Sequence, residues 1–349
     1  MKRFFLAALA IAAIASCTKN EVNEVADNNQ ITFQTVVGPQ TKALDPLTQV
    51  AFPTSNKFYA YAFFLPKDNT WTANHATSEA YIANSLIGYN GTAWKHATDT
   101  YFWPKQGSLT FFAWTDNTTA PAVNGSTTAI LCAHDTGIQV LDYSVTDNPN
   151  KDLMVAAIAA DQTKNENEYL TDGVPTLFSH VLSNVVFKVT TDEDYGTSAA
   201  LALKSITLKN VYVDGDYTQG SPAANATVWN GYANTGNLPV YTPATATAVT
   251  YSATPAALTP DTDDYYIVMP QTFADATPVV EVVYTITTNY TGTPVVETVT
   301  VEKALNSIYT GGWAPGKKYE LTITLTLDEI LWDPAVVDWV TDSTPATTI

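Results

Sequence analysis

Apolar and polar side chains alternate with a period of two along most of this chain, and beyond the first seventeen residues no stretch sustains a helical period. Strands bury one face in that way. Tyr319, Leu321, Ile323, Leu325 and Leu327 alternate with Glu320, Thr322, Thr324, Thr326 and Asp328, predicting one face in a core and the other in water. Val280, Val282, Tyr284 and Ile286 alternate likewise with Glu281, Val283, Thr285 and Thr287. A first strand is expected over residues 31–37, with Ile31, Phe33, Thr35 and Val37 on one face, stopping at Gly38-Pro39. Residues 58–64 read as a strand either buried on both faces or lying at a domain junction, and further strands are expected at 152–156, 185–189, 203–213 and 265–269. The turn Lys105-Gln106-Gly107-Ser108 suggests a hairpin between 101–104 and 109–114.

Such strands, separated by Pro, Gly and Asn without helices between them, predict an all-β chain of antiparallel sandwiches and argue against a parallel α/β sheet. With 349 residues, 46% of them apolar, the chain is long enough for two such domains. The most polar, turn-rich stretch of the middle, residues 164–173, places the expected boundary between a domain at 30–172 and another at 173–349. Residues 242–260, rich in Ala, Thr and Pro, read as a surface loop, and no repeat of solenoid or propeller length is present.

The chain opens with Lys2 and Arg3 ahead of twelve apolar residues, too few to span a bilayer core of about 30 Å as a helix. That pattern is an export signal. It closes on Ile14-Ala15-Ser16-Cys17, a lipobox in which Cys17 is acylated and becomes the mature N-terminus; the alternative is an ordinary signal peptide with a coincidental cysteine. Residues 17–29 are polar and aperiodic, as suits a tether between lipid and folded domain. Loss of residues 1–16 leaves 14 basic residues against 34 acidic ones, a net charge of −20, and removes Arg3, the sole arginine. A polyanion such as nucleic acid would meet repulsion, and bidentate guanidinium clamps on phosphate are unavailable.

No catalytic or metal constellation stands out. His75, His96, His134 and His180 lack ligand spacing. Cys132 and His134 would share a strand face, but no third partner accompanies them, so Cys132 reads as a buried thiol. The runs Asp192-Glu193-Asp194, Asp214-Gly215-Asp216 and Asp261-Thr262-Asp263-Asp264 do not continue into a calcium loop and read as solvated turns. Neither a nucleophile elbow nor a phosphate-cradling loop occurs, so the chain reads as non-enzymatic, without a cofactor. Trp103 and Trp114 read as core, whereas Trp71, Trp94, Trp229 and Trp313 lie near turns where an exposed ring could bind sugar.

Several short motifs, in order, resemble the fimbrillin (Mfa-like) family of the Bacteroidales, subunits and accessory proteins of type V pili. They are the lipobox at Cys17, Ile31-Thr32-Phe33, Thr41-Lys42-Ala43, Tyr101-Phe102-Trp103-Pro104 and Leu109-Thr110-Phe111-Phe112-Ala113. Asp152-Leu153-Met154-Val155-Ala156, Phe178-Ser179-His180-Val181-Leu182-Ser183, Ile206-Thr207-Leu208-Lys209-Asn210-Val211, Met269-Pro270-Gln271 and Trp313-Ala314-Pro315-Gly316-Lys317-Lys318-Tyr319 follow. The resemblance implies two transthyretin-like β-sandwich domains in tandem after a lipoprotein signal and tether, with His180 as a packing residue. It also implies an assembly logic: a first strand covering an apolar groove is cut away at the outer membrane, and an extended segment of another subunit refills the groove.

On that resemblance, Lys42-Ala43 is the scissile bond. Related pilins often carry arginine at the position of Lys42, so a lysine-tolerant protease would be required. An uncut chain would instead be a lipid-held anchor or accessory subunit. Ile330-Leu331-Trp332 and residues 335–340 follow the long strand, and they are either a donor segment with Trp332, Val337 and Trp339 as its knobs or the last strands of the second domain. The expected function is that of a structural or accessory (tip or anchor) component of outer-membrane-attached fimbriae, acting in cell adhesion. Its expected partners are other fimbrial subunits, the outer membrane through Cys17, and a host or bacterial surface receptor. The turn-located tryptophans support a second reading, a surface glycan-binding lipoprotein of a polysaccharide-uptake system.

Overall fold

The structure, a computed structural model, describes residues 29–38, 50–164, 173–223, 228–259, 265–274, 277–288, 292–328 and 330–339. In the first half lie β1 (Phe33–Val37), β2 (Val50–Ala51), β3 (Lys57–Leu65), β4 (Glu79–Tyr89), β5 (Trp94–His96), β6 (Ser108–Thr115), β7 (Ala129–Ala133), β8 (Gly137–Ser144), β9 (Met154–Ala156), β10 (Ala159–Gln162) and β11 (Val174–His180). The second half holds β12 (Ser183–Thr191), β13 (Ala199–Tyr212), β14 (Asp214–Thr218), β15 (Trp229–Asn230), β16 (Thr235–Tyr241), β17 (Thr247–Val249), β18 (Ile267–Val268), β19 (Val279–Thr288), β20 (Val295–Ala304), β21 (Lys317–Leu325) and β22 (Ile330–Asp338). The α-helices α1 (Trp71–Asn74) and α2 (Leu305–Ile308) are single turns. The fold is all-β.

The first sheet runs β10-β6-β3-β4-β5-β1-β11-β9, with β2 attached to β1; β9 also pairs with β6, so the ladder closes on itself as a barrel. Period-two alternation decides what fills it. Phe58, Ala60 and Ala62 of β3 and Leu109, Phe111 and Ala113 of β6 point inward, together with Ile82, Ile87, Met154 and Phe178. The opposite faces of the same two strands, with Tyr61, Phe63, Phe112 and Trp114, belong to the larger core outside the barrel. Both faces of β3 and β6 are therefore buried, which is why these segments are apolar throughout.

Three further sheets surround that larger core: β15-β14-β8-β7, β18-β12-β21-β22, and β16-β13-β19-β20 with β17 on β13. Val185, Phe187, Leu321, Ile323 and Leu325 from one sheet share it with Leu203, Ile206, Leu208, Val280, Val282 and Tyr284 from another. Glu320 and Lys188 form an ion pair of 2.6 Å from neighbouring β21 and β12.

Several sequence expectations need correcting. Pairing is mainly antiparallel, but β1 lies parallel to β11 and β12 parallel to β21. The polar stretch expected to separate two domains instead joins β10 to β11 inside one sheet, and β8 pairs with β14 across the same point. A polar, turn-rich composition marks a surface connection, and it does not distinguish a domain seam from a loop within a sheet. The hairpin around residues 105–108 does not form. Instead the Trp103 amide donates to the Asn29 carbonyl at 3.0 Å and the Ile31 amide to the Tyr101 carbonyl at 2.9 Å, so this segment pairs with the approach to β1. Asp214-Gly215-Asp216 is no turn but the start of β14. Residues 242–259 are largely exposed, yet Thr247–Val249 pairs with β13.

Candidate functional site

The first strand is a stave of the barrel wall. Ile31, Phe33, Thr35 and Val37 all point inward and are buried, in a burial pattern that alternates strictly along β1. The Phe33 ring meets Phe58, Phe111 and His96 edge-on at centroid distances of 5.6, 5.8 and 5.6 Å. Phe52 closes the floor, with its ring 5.2 Å from Phe178 and 5.4 Å from Trp94. Burying Ile31, Phe33 and Val37 is worth roughly 5 to 9 kcal/mol.

The two flanks of β1 are unequal. On one side a parallel ladder pairs Phe33 through Val37 with Val174 through Phe178, extended by the Val174 amide to the Thr32 carbonyl at 2.8 Å and the Gly38 amide to the Phe178 carbonyl at 2.9 Å. The other side is a patchwork: the 101–103 segment beside residues 29–31, Trp94 of β5 opposite Phe33, and β2 opposite Val36 and Val37. Gly173 leads into β11 at φ 148°, and a Cβ there would stand 2.7 Å from the Phe33 carbonyl carbon. Glycine is what lets the two backbones pass this closely.

Among the described residues, the cluster buried around this seat is apolar, with Phe58, Phe111, Trp94 and Phe178 among its members. His96, held by Ser85 through a 2.7 Å bond at Nδ1, is buried against Phe33 and Tyr101, and burial lowers its pKa to about 4 despite the opposing pull of Asp99. Near neutrality it is therefore an uncharged wall of an apolar slot.

At the other end of the chain, β22 pairs antiparallel with β21 through nine register positions and forms the free edge of its sheet. Ile330 is buried and Trp332 packs against the larger core, whereas Leu331, Val336 and Val337 are exposed. Trp332 and Val337 differ by an odd number of positions and so fall on opposite faces, which means that the three expected knobs do not share one side. Trp339 stacks flat on His180, with centroids 4.0 Å apart and planes at 8°, and His180 Nδ1 bonds Asp152 at 2.7 Å. His180, expected from the resemblance to pack, is buried at the end of β11, so the C-terminal segment is pinned to the strand that also carries β1.

Cys17, Lys42 and Ala43 lie outside the described residues, as does the acidic run 261–264. Among the described residues no group of three or more His, Cys, Asp and Glu side chains could hold a metal. Burial pushes the Cys132 thiol well up, so it is no thiolate, and His134 turns to Asp135 at 2.9 Å. A cleft of about 690 Å³ beside Trp339 contains Asp116 and Asp152. Both carboxylates are committed, the first to Thr118 and Lys151 and the second to His180 and Asn117. Trp71, Trp94, Trp229 and Trp313, the suspected sugar platforms, are all buried, as are Trp103 and Trp114.

Sequence reasoning missed Gly173, His96 and Phe52. The signal for His96 was present: Asn90-Gly91 between Tyr89 and Trp94 is a hairpin turn, and the Asn90 side chain accepts the amides of Thr92 and Ala93 at 3.1 and 3.0 Å. Alternation from Trp94 then turns His96 inward.

With this geometry in hand, comparison with known proteins is informative. A fimbrillin-like family model matches residues 63–339, and no curated protein sequence matches the chain. A fimbrial protein from Bacteroides vulgatus ATCC 8482 is 18% identical, with a TM-score of 0.58, over 89% of this chain and 100% of its own. The tip fimbrial protein Mfa3 from Porphyromonas gingivalis is 13% identical with a TM-score of 0.34, covering 89% of this chain and 100% of its own. A fimbrial assembly protein from Parabacteroides distasonis ATCC 8503 is 10% identical with a TM-score of 0.36, over 88% and 98%. Of these, the Bacteroides vulgatus structure shares the fold.

The chain belongs to the fimbrillin-like family. Family and fold together place the chain among proteins of the fimbrial type.

Proposed function

We propose that this chain is a fimbrial subunit or accessory component that assembles by strand exchange: cleavage at Lys42-Ala43 frees β1, and the β22 segment of a sister subunit takes its place. One observation carries the reading. Ile330, Trp332, Pro334 and Val336 repeat, at the same spacing, the inward run Ile31, Phe33, Thr35 and Val37, aliphatic then aromatic at the first two positions and ending in valine. The other face of β22 carries Asp333, which an apolar slot would reject.

The energetics agree. A barrel that lost β1 would expose an apolar trough and an unpaired edge on β11, at a cost comparable with the whole stability of a typical domain. A refill is therefore strongly favoured, and main-chain pairing with alternate side-chain pockets is how strand addition achieves it. Cys17 tethers the uncut form to the outer membrane, and the cut form enters the polymer. The glycan-binding reading loses its motive because its four tryptophans are buried.

The test is limited digestion of the purified chain with a lysine-specific protease, followed by an unboiled denaturing gel. Ladders are expected for the wild type and for Val337→Asp, and none for Trp332→Asp or Lys42→Ala. Monomers under every condition would contradict assembly, and ladders from Trp332→Asp would contradict the assigned face.

A further inference from the structure

Sheet edges are normally blunted against pairing with a neighbour by prolines, bulges, short length or inward charges. In the described residues β22 carries Pro334, β16 carries Pro239 and register shifts, β7 has only five residues, and β10, β15 and β18 are shorter still. The edge strand β20 has no proline, no bulge and full length, and its only guards are its charged side chains, with Glu297 and Lys303 on the face of Val299 and Val301. It runs ten residues in unbroken register with β19, contains neither proline nor glycine, and displays Val295 and Val296 at 62% exposure each, the largest values among the exposed large apolar side chains.

We propose that β20 is a self-complementary docking edge that pairs antiparallel with β20 of a second copy of this chain. The charge pattern selects both partner and register. Glu297 and Lys303 are exposed on the same face of β20. Two antiparallel copies related by a two-fold axis through Thr300 place Glu297 of each opposite Lys303 of the other, and Val299 opposite Val301. On the reverse face Thr300 meets Thr300 and Thr298 meets Glu302, whose carboxylate is already held by Lys209 at 2.9 Å. No like charges face each other. A shift of two residues either way sets Glu297 against Val301 or Leu305 and loses both ion pairs. The result is a sheet continuous across two subunits. Because this edge takes no part in the exchange of β1 for β22, it associates whole subunits side by side and requires no cleavage.

Sedimentation velocity on the uncut chain, from micromolar to hundreds of micromolar, tests the proposal. A concentration-dependent dimer is expected. Glu297→Lys and Lys303→Glu, at exposed positions, should each weaken it about tenfold or more, while the doubly substituted chain, with the charges exchanged, should dimerise like the wild type. Circular dichroism of all four proteins should be the same. A wild type that stays monomeric throughout would overturn the proposal, as would single variants that dimerise normally or a double variant that does not recover. Since the chain is uncut, none of these results depends on strand exchange.

Discussion

At Gly173 two backbones come so close that one missing methyl group decides whether they fit. The φ of 148° is open to glycine and strained for other residues, and the space a Cβ would need is filled by Phe33 main-chain atoms. Gly173→Ala is expected to destabilise the protein by about 1–3 kcal/mol, read as a lowered thermal midpoint, and to loosen β1 selectively in hydrogen exchange. An unchanged midpoint would mean that the contact yields freely. His96 gives the seat a pH dependence. Its folded pKa of about 4 lies below the ordinary value near 6.5, so between the two the unfolded chain binds a proton that the folded chain refuses. Stability should therefore fall as pH drops from about 6.5 to about 4, with no further loss from this source below that. Thermal midpoints across this window should fall less steeply for His96→Asn, and equal slopes would exclude His96 as the cause.

At the scale of elements, β11 holds both ends of the account. One edge of it carries β1, and its last residue, His180, carries the indole of Trp339. Trp339→Ala should leave the barrel intact but speed amide exchange in β22, whose other residues past Trp332 are exposed. If exchange in β22 is unmoved, the β21 ladder alone fixes the strand. Strand positions were largely legible from alternation, since a period of two both names the element and chooses its buried face; β1, β19 and β21 are examples. Partners were not legible. The parallel pairing of β1 with β11 joins residues more than a hundred positions apart, and nothing local in either segment encodes it. The tryptophans near turns misled for a related reason: proximity to a turn in sequence leaves open whether the ring faces solvent or the neighbouring sheet, and Trp71 and Trp313 face inward.

Across the whole molecule, the fold solves one problem, the satisfaction of every strand edge, by two different means. The barrel removes its edges by closing, while the outer sheets end in β7, β15, β16, β18, β20 and β22, of which β20 and β22 are the long, largely exposed ones. A net charge of −18 keeps copies apart in general, which makes the two edges, with their particular side-chain patterns, the places where copies can meet. The central claim is that β1 is a replaceable stave of the barrel wall. Intact-mass analysis of the assembled polymer, taken directly from the cell surface or from the digestion described above, tests it most directly. The account predicts subunits beginning at Ala43, with the fragment carrying Phe33 absent from the polymer; a stable polymer whose subunits still retain that fragment would contradict it.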